Sequence, residues 1–186
     1  MGTNFRKFFP IYTTKDIGVF LDSAATTHMP QCVIDRMNYF YAHENAPAHR
    51  SLYQRGEQVT VLYEQARATV AQFLGAEPAE IIFTAGATAG INAIATRWGS
   101  HVVSTGDTII VSQMEHHSNF LPWQRLAHER NARLCIVPVT SDGQLDLDAY
   151  QKLLSAKTKI VAMTHVSNVL GTTNNIAHIK IGRAHV

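Results

Sequence analysis

The feature that most constrains the fold is an alternation of short apolar runs with amphipathic segments between residues 81 and 163. The predicted strands are residues 81–84, 108–111, 134–139 and 160–163. The helices predicted between them are residues 90–98, 121–130 and 147–154. Apolar strands separated by helices of about 10 residues are typical of a mostly parallel sheet with helices on both faces. We therefore predict an α/β fold.

The N-terminal part lacks this regularity. Residues 19–21 predict a short buried strand, and Pro30 begins a predicted helix with an apolar stripe. A second helix is predicted from apolar residues repeating at helical spacing from Val59 to Leu74, and Gly75 marks its end. These helices precede the alternating region.

Composition excludes several classes of protein. Charged residues make up 16% of the 186 residues, against roughly 25% in ordinary domains, which favours either a large buried interface or a piece of a larger folded body. The net charge is +2 with scattered Lys and Arg, which argues against nucleic-acid binding. No apolar run approaches the ~20 residues of a membrane helix, and no secretion signal begins the chain. With two cysteines and no metal-type spacing, we expect a cytoplasmic protein without a metal.

In a parallel sheet, ligands bind beyond the carboxyl ends of the strands. The first such segment holds Gly86, Ala87 and Thr88 between a predicted strand and a helix. Glycine lets the backbone approach a ligand closely, Thr88 offers a hydroxyl, and a helix N-terminus favours an anion. The segment therefore suits a phosphate, although many strand–helix turns use Gly and Thr only to turn.

Two further segments follow later strands. His116 could lie flat over an aromatic ring, but the segment could also hold zinc or form a helix entrance capped by Ser118 or Asn119. Asn168 could donate a hydrogen bond to a polar ring substituent, or it could be an ordinary turn residue.

Together these segments resemble one family. The motifs that carry the likeness are DSAAT at 22–26, AHR at 48–50, GAT at 86–88 with GIN at 90–92, MEHHSN at 114–119 with PW at 122–123, and THVSNVLG at 164–171. From about residue 9 to about residue 177, the chain is similar to cysteine desulfurases of the class V aminotransferase family. The likeness is to the group II branch, which comprises the SUF-type and selenocysteine lyase-like enzymes.

The resemblance implies a fold and a cofactor. The fold is the large domain of a type I PLP-dependent transferase, here incomplete, and the cofactor is pyridoxal 5'-phosphate (PLP). Gly86, Ala87 and Thr88 would hold the PLP phosphate. His116 would stack on the pyridine ring, and Asn168 would hydrogen-bond near the ring hydroxyl and the substrate.

The resemblance also implies a reaction and partners. His49 would face the substrate, and the resemblance leaves L-cysteine and L-selenocysteine as the two candidates. Sulfur would leave L-cysteine as L-alanine forms, pass to an enzyme cysteine as a persulfide, and then reach an acceptor protein for Fe–S cluster assembly or other sulfur delivery. The full-length enzyme would be a homodimer.

The same resemblance places the decisive residues elsewhere. The Schiff-base lysine, the aspartate that pairs with the pyridine nitrogen and the acceptor cysteine lie beyond the chain end in the family, so we expect no catalytic residue here and an inactive fragment. Its predicted divisions are an N-terminal irregular segment with the first helix (1–56), the first part of the PLP-binding large domain (57–180), and a tail (181–186). That tail resembles the translation of a common sequencing-library adapter, so we expect it to be non-native.

Two other interpretations remain open. The chain could belong to another class V PLP enzyme, of the kynureninase or epimerase type. It could also be a non-catalytic module that binds PLP or a partner protein.

Overall fold

The computed structural model describes residues 4–13 and 18–182. The chain divides into two compact units, Met1–Ile82 and Phe83–Val186. The predicted division at residues 56 and 57 stays a prediction. Residues 183–186 of the predicted adapter-derived tail lie outside the described residues.

The first unit is helical. Its elements are the 3-10 helices Phe5–Phe8 and Pro10–Thr13, helix α1 (Gln31–Tyr39) continued by the π-helix Phe40–Glu44, helix α2 (Gln54–Leu74), and the 3-10 helix Pro78–Glu80. Both predicted helices are present. Helix α2 ends at Gly75, whose φ of 66° is left-handed, and the amide of Ala76 donates to the carbonyl of Ala71. Glycine reaches this conformation without steric cost, so the sequence signal for the helix end is physically direct.

The predicted strand at residues 19–21 is absent from this unit. Val19 is 83% exposed and Leu21 is 90% exposed, and neither lies in a strand. An apolar run becomes a strand only where a neighbouring strand accepts its backbone hydrogen bonds. No strand lies among residues 4–13 and 18–82, so the run has no partner within its unit.

The second unit contains a parallel sheet. In chain order its elements are helix α3 (Ala87–Ala93), the π-helix Ile94–Gly99, helix α4 (Ser100–Val102), strand β1 (Thr108–Ser112), the 3-10 helix His117–Asn119, helix α5 (Leu121–Arg130), strand β2 (Arg133–Val137), helix α6 (Leu147–Leu153), strand β3 (Thr158–Ala162) and helix α7 (Ile176–Gly182). The strand order is β2-β1-β3, and both pairings are parallel. The predicted α/β fold is confirmed.

Helices cover both faces of this sheet. Every residue of β1 is buried, as expected for a central parallel strand. Ile109 and Val111 pack with Trp123 and Leu126 of α5 on one face. Ile110 packs on the other, in a cluster that includes Tyr150 of α6 and Ile179 of α7. The alternation of β1 side chains between two clusters follows the two-residue repeat of a strand.

The predicted strand at residues 81–84 does not form. These residues belong to no strand, and Ile82 is 82% exposed. Both edges of β1 already pair with β2 and β3, so an additional strand would need the outer edge of one of those two. Among the described residues, no helix is both long and apolar enough to cross a membrane.

Candidate functional site

The first wall of the candidate site is the start of α3. Gly86 precedes this helix with a φ of 149° and a ψ of 174°, a conformation that is essentially restricted to glycine. Ala87 and Thr88 are the first helical residues, and the amides of a first helical turn have no carbonyl four residues earlier to accept their hydrogen bonds. These amides and the exposed Thr88 hydroxyl form a group of donors suited to an anion.

The second wall is the segment after β1. A cavity of about 410 Å³ brings this segment together with the start of α3. Its lining residues are Thr88, Asn92, His116, His117, Ser118, Leu121, Pro122 and Arg125. Two of the predicted cofactor residues, Thr88 and His116, therefore line the same cavity, and Gly86 and Ala87 immediately precede Thr88 in the chain.

Arg125 brings a positive charge to this cavity. Its Nε donates to Oε1 of Glu129 one helical turn later, at 2.7 Å. That hydrogen bond and the charge of the carboxylate raise the pKa of Arg125 above its usual value. Arginine is charged throughout the physiological pH range in any case, and this charge favours an anion in the cavity.

His116 is fixed by its own loop. The backbone N–H of Ser118 donates to Nδ1 of His116 at 3.1 Å, and the Ser118 hydroxyl lies 2.8 Å from the same nitrogen. A backbone amide can only donate, so Nδ1 accepts and a neutral ring carries its proton on Nε2. The prediction of a helix entrance capped by Ser118 or Asn119 is wrong, because His116 itself caps the 3-10 helix and Phe120 precedes α5 without a side-chain cap.

Glu115 connects three parts of the site. Its Oε1 accepts from the Ser112 hydroxyl and from the backbone N–H of Thr164, both at 2.6 Å. Its Oε2 accepts from the Asn119 side-chain amide at 2.7 Å. The Asn119 carbonyl in turn accepts from the Trp123 indole at 2.9 Å. The segments that follow β1 and β3 are therefore joined by one half-buried carboxylate.

Asn168 lies in an exposed turn of the segment after β3. It does not line the 410 Å³ cavity. Its neighbours Ser167 and Val169 line a second cavity of about 300 Å³, together with Met114 and Glu115 from the segment after β1. The structure thus links the Asn168 segment to Glu115, whereas the direct role predicted for Asn168 stays a prediction.

His49 belongs to the first unit. Its φ of 65° is left-handed, which is uncommon for a residue other than glycine. The backbone N–H donates to the Thr60 hydroxyl at 2.9 Å, and Nε2 lies 3.3 Å from Oε1 of Glu64. The ring also meets the edge of Tyr63, with centroids 5.2 Å apart. Contacts on the backbone and on the ring thus hold His49 in a strained conformation.

Sequence reasoning missed the roles of three groups at this site: the Glu115 carboxylate, the Ser118 backbone amide and the Arg125 guanidinium. A carboxylate soon after a buried strand is a signal that could have pointed to Glu115, since acidic side chains readily accept backbone hydrogen bonds at strand ends. Nothing in the spacing predicts its bond to Thr164, which lies 49 residues away. No group of three or more His, Cys, Asp or Glu residues able to hold a metal lies in residues 4–13 and 18–182.

A comparison with known families decides the assignment. The family described as "Aminotransferase class-V" matches residues 19–185, which is most of the chain. The chain belongs to the class-V aminotransferase family. This confirms the family resemblance stated from the motifs.

Two curated relatives of this class-V chain have the same name, cysteine desulfurase. It is 47% identical over 171 residues to a cysteine desulfurase of Synechococcus elongatus, a match covering 90% of this chain and 27% of that protein. It is 43% identical over 184 residues to a cysteine desulfurase of an Enterobacter species, covering 97% of this chain and 45% of that protein. The chain therefore spans less than half the length of these relatives.

Solved structures show the same relationship. The apo cysteine desulfurase from Thermococcus onnurineus matches with a TM-score of 0.89 and 32% identity, covering 97% of this chain and 44% of that one. The cysteine desulfurase CsdA from Escherichia coli matches with a TM-score of 0.81 and 35% identity, covering 95% of this chain and 44% of that one.

Enzymes of the class-V family are PLP-dependent, and the donor set of this cavity fits that cofactor. The Thr88 hydroxyl, the first amides of α3 and the Arg125 charge suit a phosphate, while the imidazole of His116 offers a flat face to an aromatic ring. A volume of about 410 Å³ also lies within the range of roughly 300–1,000 Å³ for small-molecule sites.

Proposed function

We propose that this chain is part of a PLP-dependent cysteine desulfurase. The observation that carries the proposal is that Thr88 and His116 line one cavity at the carboxyl end of β1. Further support comes from the curated relatives with 43–47% identity, which are named cysteine desulfurases.

The chain's own residues have distinct roles in this proposal. Thr88 and the first amides of α3 bind the cofactor phosphate, with Gly86 and Ala87 shaping the turn before them. The imidazole of His116 covers the cofactor ring, and its contacts with Ser118 keep the imidazole from rotating. When bound, PLP would accept the electron density released as substrate bonds break.

Two residues are assigned to the substrate side. Asn168 donates a hydrogen bond near the ring hydroxyl and the substrate, and His49 faces the substrate. The ring of His49 is oriented by Glu64 and Tyr63. For both residues these roles rest on the family resemblance, together with the exposure that leaves each side chain accessible.

The proposed reaction converts L-cysteine and an enzyme thiol into L-alanine and an enzyme persulfide. The acceptor thiol loses its proton and attacks the substrate sulfur, so that an S–S bond forms as the Cβ–S bond breaks. The electron pair of the broken bond stays with Cβ, which takes up one proton to give L-alanine. We assign the acceptor thiol to neither free cysteine, because Cys32 lies on α1 and Cys135 lies within β2. In this proposal the full-length enzyme is a cytoplasmic homodimer, and it passes its sulfur to an acceptor protein.

A Thr88→Val substitution in the protein as its gene encodes it tests the phosphate role. Valine keeps the shape of threonine and removes one hydrogen bond to the phosphate, worth about 1.4 kcal/mol, so the Kd for PLP should rise about tenfold. The matched control is Thr96→Val, because the Thr96 hydroxyl donates within its own helix to the Asn92 carbonyl.

Two measurements decide this test. Titration with PLP, followed by absorbance, gives the Kd of each variant, and production of L-alanine from L-cysteine gives the activity. Equal weakening by both substitutions would contradict the phosphate role of Thr88. A wild-type protein that neither binds PLP nor forms L-alanine would overturn the proposed function.

A further inference from the structure

We propose that Glu115 is a positioning residue. It sets the placement of the His116 segment (residues 113–119) relative to the Asn168 segment (residues 164–170). The proposal rests on the function proposed above, in which these two segments contact the cofactor. Glu115 lines the 300 Å³ cavity but not the 410 Å³ cavity assigned to the cofactor, so it acts on the cofactor through its neighbours.

The first argument is the position of the carboxylate. β1 and β3 are adjacent parallel strands, so the segments leaving their carboxyl ends start side by side. The backbone pairing between these two strands ends at Val111 of β1 and Ala162 of β3. Beyond those residues, the bond from the Thr164 amide to Glu115 continues the connection between the two segments.

The second argument is the number of donors that converge on Glu115. Three donors reach one half-buried carboxylate at 2.6–2.7 Å: the Ser112 hydroxyl, the Thr164 amide and the Asn119 side-chain amide. Such short bonds to an ionised acceptor are stronger than bonds between neutral groups. An ionised carboxylate accepts all three at once because it has two acceptor oxygens and no donor.

The third argument is what each donor carries. Asn119 ends the short helix that His116 caps, and its carbonyl holds the indole of Trp123, a buried residue of α5. Thr164 begins the segment that leads to Asn168. A change at Glu115 therefore acts on both cofactor segments, whereas the sheet beneath them keeps its own hydrogen bonds.

A pair of substitutions that moves the carboxylate from position 115 to position 119 tests the positioning role of Glu115. In Glu115→Gln, the amide nitrogen replaces one acceptor and meets the Asn119 amide, donor against donor. In Asn119→Asp alone, two carboxylates face each other. The double variant restores every bond, because the new amide at 115 donates to one oxygen of the new carboxylate at 119 and the other oxygen accepts from Trp123.

The first readout is hydrogen exchange, measured by mass spectrometry on the protein as its gene encodes it, without PLP. In Glu115→Gln we expect exchange of the 164–170 segment to accelerate about tenfold, with β1 unchanged. The double variant should return to within about twofold of wild type. The control is Glu57→Gln, which makes the same chemical change at an exposed position in α2. It should leave the exchange rate of residues 164–170 unchanged.

The second readout is the Kd for PLP, which should rise about tenfold in Glu115→Gln and recover in the double variant. Wild-type exchange in Glu115→Gln, or a double variant as altered as the single ones, would overturn the proposal. These outcomes differ from failure of the proposed function, because a wild type that does not bind PLP removes the second readout and leaves the first to decide the role of Glu115.

Discussion

The two units differ in how much of their apolar surface is buried. In the second unit, two clusters of buried side chains cover both faces of a sheet. In the described part of the first unit, the buried apolar side chains are only Val59 and Ala71. Large apolar side chains there stay exposed, among them Leu52 at 102% and Phe73 at 88%.

This difference separates local from tertiary causes of structure. Helices α1 and α2 form with little burial because each helical hydrogen bond closes within its own segment. The predicted strand at 19–21 does not form, because a strand needs a neighbour. The first unit therefore has its helices but little of the apolar packing that stabilises tertiary structure.

The largest expected effect is a difference in hydrogen exchange. Amides of β1 lie beneath two packed faces, whereas α1 has no buried residue. We expect the amides of β1 to exchange at least about 100-fold more slowly than those of α1, because segments with few buried contacts open at lower free energy. Mass spectrometry of exchange in the protein as its gene encodes it measures this, and equal protection would erase the contrast between the units.

Core truncation should give the next largest effect. Ile110 is fully buried, so Ile110→Ala should lower the free energy of unfolding by about 2–5 kcal/mol. Val61 of the first unit is 54% exposed, so Val61→Ala should change it by less than about 0.5 kcal/mol. Urea unfolding followed by circular dichroism measures both. Similar losses would mean that Val61 is covered in the intact protein.

A pair of helical glycines sharpens the comparison further. A Cβ at Gly56 would lie 2.1 Å from Cβ of Ser51, which cannot move without its backbone. Gly56→Ala should therefore destabilise by about 1–3 kcal/mol. A Cβ at Gly99 would meet the far end of the buried Leu126 side chain at 2.7 Å, and a side-chain end can shift at a lower cost than a Cβ fixed to its backbone.

We expect Gly99→Ala to destabilise less than Gly56→Ala, because the gain of about 1 kcal/mol from alanine in a helix partly offsets the shift of the buried Leu126. Thermal melts of both variants measure the difference. A larger loss at Gly99 than at Gly56 would show that the second unit tolerates added volume less well than the first.

The smallest effect concerns helix ends. Helix α2 ends on Gly75 and α5 ends on Asn131, both left-handed, with φ values of 66° and 51°. Gly75→Ala should cost about 1 kcal/mol, because a Cβ disfavours this conformation. Asn131→Gly should be neutral or gain about 0.5 kcal/mol. Calorimetry compares the two, and an unchanged melting temperature for Gly75→Ala would contradict the argument.

Most of the second unit could be predicted from sequence. Residues 121–130 form the predicted helix, and β1, β2 and β3 lie within two residues of their predicted bounds. These elements follow from apolar periodicity and from Pro and Gly signals, which are local. The unformed strands at 19–21 and 81–84 could not be excluded from sequence, because a run of apolar residues does not state whether a pairing partner exists.

The candidate site was predictable in part for the same reason. His116 is marked by its position after β1, whereas Gly86, Ala87 and Thr88 are marked by their position at the start of a helix, and Thr88 and His116 line one cavity. The bond from Thr164 to Glu115 depends on which strands become neighbours, and periodicity does not encode strand order. The capping of its own loop by His116 is also absent from residue preferences, which favour Ser, Thr, Asp and Asn as caps.

The order of strands β2-β1-β3 has a consequence during synthesis. Ile109 pairs with Leu134 on one side and with Ile160 on the other, so the centre of the sheet leaves the ribosome well before its second neighbour. At translation rates of about 5–20 residues per second, β1 waits roughly 3–10 s for that neighbour. Throughout this interval the backbone N–H and C=O groups along one edge of β1 have no strand to pair with, so this segment of the nascent chain is open to incorrect pairing.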